Sequence, residues 1–114
     1  MIVACARAGT LETGGILVGS YSADLSMAHV TLATSPSLDS SQSRFRFVRG
    51  VRGLRSLLRE RWRHKSEYYL GEWHFHPFSP PTPSSIDRAR MSRIAGDANY
   101  SCAHPLLVII GGDP

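Results

Sequence analysis

No pair of cysteines at metal-site or disulfide spacing occurs in these 114 residues, because Cys5 and Cys102 stand at opposite ends of the chain. A disulfide framework is therefore unsupported, a reducing cytoplasm is the expected compartment, and both thiols are expected to be small buried groups. No window approaches the ~20 consecutive apolar residues of a membrane helix. The apolar start, Met1 to Ala8, lacks the basic flank and apolar core of a signal peptide and reads as helix instead. There is no internal repeat and no linker. Also missing are the His-x-Glu and Pro-Cys-x-x-Cys elements that a zinc nucleobase deaminase requires.

What remains is an ordinary globular composition, 42% hydrophobic and 19% charged, sized for one domain spanning residues 1–114. The net charge of +4 is local: Arg44, Arg46, Arg49, Arg52, Arg55, Arg59, Arg61 and Arg63 crowd one stretch. Such a run can meet nucleic acid or an acidic protein, and a solvated helix face is the simpler reading. No aromatic platform interleaves with these arginines as single-strand binders require, so a nucleic-acid partner is not expected.

Along the chain the spacing predicts a short helix over residues 2–10, then the strand Gly15-Ile-Leu-Val-Gly19 and a second strand from Met27 to Ala33. Thr34 to Ser43 reads as an exposed loop, followed by a half-buried strand in which Phe45 and Phe47 alternate with Arg44 and Arg46. Val51, Leu54, Leu58 and Trp62 recur at helical steps and are expected to form the buried stripe of a helix whose Arg52, Arg55, Arg59 and Arg63 form a second, basic stripe. Tyr68 to His76 returns to strand, and Pro77-Phe-Ser-Pro-Pro-Thr-Pro83 can be neither helix nor central strand. Ser84 to Ile94 is expected to be helical, and Leu106 to Ile110 an apolar buried strand closing at Gly111–Gly112. Strands and helices alternating in this way define an α/β (α+β) fold, a mixed sheet flanked by helices.

His74 and His76 lie two apart on the predicted strand, so both imidazoles project from one face while Phe75 points into the core. After the proline run, Ser84 and Asp87 share one side of a helix's first turn. His74, His76 and Asp87 would make a three-ligand zinc site with one position open to water, the arrangement of a catalytic rather than a structural zinc. Asp87 would then be engaged, leaving Glu12, beside Gly14–Gly15, as the best general base. Each part also has a plainer reading: His-x-His as a chance pair, Ser84-x-x-Asp87 as a capping box, Glu12 as a surface carboxylate. The spacing of the whole set, with seven residues between His76 and Ser84, is what favours the metal site.

Glu12 within Glu-Thr-Gly-Gly-Ile-Leu-Val-Gly, then His74-Phe-His76-Pro, then Ser84-Ser-Ile-Asp87, together resemble the JAMM motif of the JAB/MPN-plus metalloproteases. The wording around the histidines is most similar to the compact bacterial JAB domains that accompany ubiquitin-activation-like proteins. The resemblance implies a JAB/MPN-like fold with a cytidine-deaminase-like layer arrangement, Zn2+ held by His74, His76 and Asp87, Glu12 as base, and Ser84 as a hydrogen-bond donor to the oxyanion. It implies a peptidase or isopeptidase acting on a ubiquitin-like protein or its conjugate, alongside activating- or conjugating-enzyme-like partners. Thr34 to Val48, and within it Phe45, Arg46 and Phe47, is expected to wall the groove for an extended tail. Members of this family carry a strand before the first helix and further chain after the last strand, so the domain is expected to be clipped at both edges and to be a monomer or a dimer. A metal-free scaffold would show a decayed ligand set, and none is seen. His29, His64 and His104 fall outside the set, while Glu72 and Trp73 flank it as candidates for packing or hydrogen bonding behind the ligands.

Overall fold

A computed structural model describes residues 1–44 and 46–112 of the chain. Their order is α1 (Ile2–Ala8), β1 (Thr13–Tyr21), β2 (Ala28–Ala33), β3 (Ser41–Gln42), β4 (Phe47–Val48), α2 (Leu54–Lys65), β5 (Tyr68–Pro77), α3 (Ser85–Gly96) and β6 (Leu106–Gly112). Four strands form one mixed sheet in the order β2-β1-β5-β6, antiparallel except for the parallel β5–β6 pair, which α3 connects. β3 and β4 make a separate short hairpin. The expected α+β architecture, a mixed sheet flanked by helices, is what the chain adopts.

β1 and β5 are central strands, buried nearly from end to end. Each side of the sheet therefore needs its own cover. On one side Cys5, Ala4 and Ala8 of α1 pack on Leu17, Leu70, Trp73 and Phe75. On the other, Leu54 and Leu58 of α2 and Met91 and Ile94 of α3 cover Ile16, Val18 and Tyr69. The side chains change sides because the β1–β5 register slips between Leu17–Gly71 and Val18–Tyr69, leaving Leu70 as an extra residue. Such a bulge places two consecutive residues on one face. Beyond it, Glu72 and His74 lie opposite Ile16 and Gly14 and, with His76, share the α2/α3 side.

Several sequence expectations need correction. Trp62, expected in the core, is 61% exposed and Val51 64% exposed, so only Leu54 and Leu58 of that stripe reach the sheet. Val51 precedes the helix, which starts at Leu54, and Trp62 lies against Tyr68 with centroids 6.3 Å apart. Leu106 to Ile110 is not a buried strand but a half-exposed edge strand with Val108 38% exposed. The second strand starts at Ala28, and its alternation breaks at Thr31, which has no partner across a second register slip. The strand expected around Phe45 and Phe47 shrinks to Phe47–Val48, and Phe45 lies outside the described residues. Both cysteines are free and buried, as expected.

Candidate metal centre

The two imidazoles reach the α3 side of the sheet because β5 delivers alternate residues there once the bulge is passed. Pro77 ends the strand, and the proline segment leads into α3 at Ser84. Ser84 Oγ accepts from the Asp87 amide at 3.0 Å, and the Ser84 amide donates to Asp87 Oδ2 at 2.9 Å, completing a capping box. The plainer reading of Ser84-x-x-Asp87 therefore holds, and it holds together with the site. The same carboxylate faces both imidazoles, with Oδ1 at 3.0 Å from His74 Nδ1 and Oδ2 at 3.4 Å from His76 Nε2. One ligand atom from each of the three residues lies within 4.8 Å of the other two, and all three residues are buried.

Burial works against ionising Asp87, but the hydrogen bonds from Ser84 and the neighbouring His74 together hold its carboxyl below the usual range. Burial pushes the His74 imidazole down, against the pull of Asp87. His74 Nε2 is buried with no hydrogen-bond partner among the described residues. A native core rarely leaves such an atom unmet. Two imidazoles and one carboxylate suit zinc in donor type, and the unmatched nitrogen gives them bonding capacity to spare. The residues present fit a divalent cation.

Glu12 sits between α1 and β1, half-buried, with its amide donating to Ser43 O at 2.7 Å. Burial raises its carboxyl above the ordinary value; Asp87 adds to the rise while His76 and Arg90 oppose it, so it shares the electrostatic field of the cluster. Phe47 is buried edge-on to the His74 ring, centroids 5.7 Å apart, and so packs behind a candidate ligand. Arg46 is exposed and lines a cavity beside α3. Ser84 is exposed.

Two contributors escaped the sequence reading. Arg90 donates to Phe47 O at 3.0 Å and acts electrostatically on both Glu12 and His74. Its place three residues after Asp87, on the same helix face, was the available signal. Arg49, grouped above with the surface arginines, has a side chain only 6% exposed and donates from Nε to Glu72 Oε1 at 2.5 Å. Tyr69 donates to the other oxygen of Glu72 at 2.5 Å, and Arg49 also reaches the Tyr100 hydroxyl. Glu72, two residues before His74, is thus tied on both oxygens, and β5 is fastened to the segment after β4. Trp73 is core, donating to Thr34 O at 2.8 Å.

A mixed sheet carrying a His-x-His pair at the end of a central strand, closed by an aspartate from a capped helix, is the arrangement of a JAB domain, and the chain belongs to that family. It matches the family described as prokaryotic homologs of the JAB domain over residues 1–114. It is similar to a protein of Enterobacter hormaechei subsp. hoffmannii (strain UCI 50) named CD-NTase/cGAS isopeptidase, 51% identical over 114 residues, which are 100% of this chain and 63% of that protein. A protein of the same name from Pseudomonas aeruginosa (strain BWHPSA011 / Pa011) is 33% identical over 104 residues, 89% of this chain and 63% of that protein. The chain thus spans less than two thirds of the length of these curated relatives. No described helix is long and apolar enough to cross a membrane.

Proposed function

We propose that this domain is a zinc-dependent isopeptidase that hydrolyses the C-terminal linkage of a ubiquitin-like protein, by deconjugation or tail processing. The observation that carries the reading is the convergence of His74, His76 and Asp87 within 4.8 Å, on buried ground. The names of the two relatives support the isopeptide bond and extend the reading to a CD-NTase/cGAS conjugate as the polypeptide acted on.

His74, His76 and Asp87 would hold the ion, which when bound supplies a Lewis acid that lowers the pKa of water toward ~7. Asp87 is suited to this by a carboxyl that stays ionised and by the Ser84 cap that fixes its rotation. Glu12 takes the proton of the attacking water on a carboxylate oxygen and returns it to the leaving lysine nitrogen. A carboxyl raised by burial is the better proton carrier for both transfers. Ser84 Oγ spends one lone pair on the Asp87 amide and keeps its hydrogen to donate to the developing oxyanion.

The test is elemental analysis of the purified protein alongside hydrolysis of an isopeptide-linked conjugate. One zinc per chain is expected, and Glu12→Gln should retain it while losing about 10²–10⁴-fold in rate. A protein that takes up no zinc when it is supplied overturns the reading.

A further inference from the structure

A cavity of about 480 Å³ runs along α3 away from the metal centre, walled on the other side by β4 and the residues flanking it. Arg46, Arg90 and Arg93 line it, with Val48 and Ile86 as its apolar flanks and Asp97 also in its wall. These guanidinium groups differ in what they have left to give. Arg90 spends one nitrogen on Phe47 O, and by that bond stands between the cavity and the site. Arg46 and Arg93 are exposed and have no ion-pair partner among the described residues. The Asp97 carboxylate already accepts from the Asn99 amide at 2.9 Å. The wall is therefore cationic, with apolar ground at Ile86 and Val48 that is 49% and 40% exposed.

We propose that this groove holds an acidic side chain of the substrate polypeptide, gripped by Arg46 and Arg93, and so selects which conjugates are cut. Arg93 lies six residues beyond Asp87, about 9 Å along the helix axis. An extended chain covers that span in roughly three residues, so the carboxylate sits about three residues from the scissile bond. Arg46 and Val48, two apart in extended chain, offer the wall a guanidinium beside an apolar side chain, so an extended segment with an acidic and an apolar residue two apart on one face matches it. A nucleic acid matches it poorly: Tyr100, the aromatic at this wall, is already engaged by Arg49, which bonds its hydroxyl and lies 5.7 Å from its ring centroid, and by the Tyr69 ring at 4.9 Å. Among the described residues no second aromatic lines the cavity to make a stacking platform. The placement relative to the cut rests on the isopeptidase reading, whereas the carboxylate contact does not.

The experiment uses amidated probe peptides in a Ser/Val background, each with one glutamate moved stepwise away from an isopeptide-linked lysine, and their glutamine counterparts. Hydrolysis and NMR titration of the whole chain are read in parallel. Glutamate at the third position should raise kcat/KM about fivefold, and Arg46→Gln with Arg93→Gln should remove that preference and the matching binding shifts. Cleavage that ignores both the glutamate and the two substitutions overturns the groove and leaves the isopeptidase standing. Glutamate-selective binding that depends on Arg46 and Arg93, without cleavage of any probe, supports the groove and overturns the isopeptidase. A ten-nucleotide single strand that displaces the glutamate peptide through the same two arginines, and binds more tightly, also overturns the assignment.

Discussion

A Cβ built on Gly14 would stand 2.9 Å from Cδ2 of His74, so the candidate ligand rests on a position that has no side chain. The same Cβ would meet Trp73 O at 2.3 Å and Phe47 Cε2 at 3.0 Å. The imidazole is thus held between a bare backbone and the edge of a phenyl ring. Because the tightest of these contacts is to backbone, no rotamer change relieves it.

Gly14→Ala is expected to destabilise the protein by about 1–3 kcal/mol through overpacking. It should also cost zinc affinity, since the β5 backbone that must shift at Trp73 carries His74 next to it, and the His74 ring is itself in contact. A denaturant midpoint together with a competitive zinc titration reads both. Unchanged zinc affinity at reduced stability would separate the packing of Gly14 from the metal centre.

Arg49 and Glu72 have side chains only 6% and 0% exposed, so each is the other's charge balance in a dry place. Arg49→Leu is expected to cost about 3–5 kcal/mol, because it strands the Glu72 carboxylate. Adding Glu72→Leu should return a large part of that loss, with Tyr69 and Tyr100 left to find other partners. If the double variant is as unstable as the single one, the charge is not the source of the penalty. Chemical denaturation of the four proteins of the cycle provides the comparison.

The Glu12 carboxyl lies above its ordinary value, chiefly through burial. A raised folded-state value means the fold favours the protonated form. That stabilisation is complete below about pH 4, the ordinary glutamate range, and is lost as pH rises through the folded value. In chelator-treated protein, Glu12→Gln should therefore be more stable than wild type at pH 7 and equal to it near pH 3.5. Thermal melts across that range give the answer, and parallel curves at every pH would remove burial as the cause.

Ser84→Ala removes the acceptor for the Asp87 amide and should cost about 0.5–2 kcal/mol. If the hydroxyl also serves the oxyanion, hydrolysis falls by about 10²-fold or more. Ala95→Gly, a comparable insult to the same helix, supplies the control. Equal losses of activity in the two variants would reduce Ser84 to a cap.

The parts of the site that local chemistry dictates could be read directly from the chain. His74 and His76 share a face because strands alternate, and Ser84 with Asp87 opens α3 because a proline run precedes a capping sequence. What stayed hidden depends on tertiary position. Five apolar residues from Leu106 to Ile110 look the same in a central strand and at an edge, and only the sheet order separates the two. Arg49 is indistinguishable by composition from the arginines around it, and becomes a core residue only because Glu72 is buried opposite. Trp62 keeps the spacing of the buried stripe but sits too near the end of α2 to share the cluster that Leu54 and Leu58 join. The slip at Leu70 left one mark, Gly71, since an isolated glycine inside a strand pattern signals a bulge, although Tyr68 to His76 reads otherwise as one strand.

That slip fixes the phase of the strand. Leu70 belongs to the α1 side and the histidines to the α3 side, although all are even-numbered. A ladder without the extra residue would send Leu70 and both imidazoles to the same surface. Either the apolar cluster would lose its centre, or the ligands would end up beneath α1 with Asp87 on the far side of the sheet. The length of the stretch from Tyr69 to Trp73 is consequently as constrained as its buried side chains. A single insertion or deletion there acts as a half-turn of everything downstream, and it would erase the site while leaving every one of its residues in the chain.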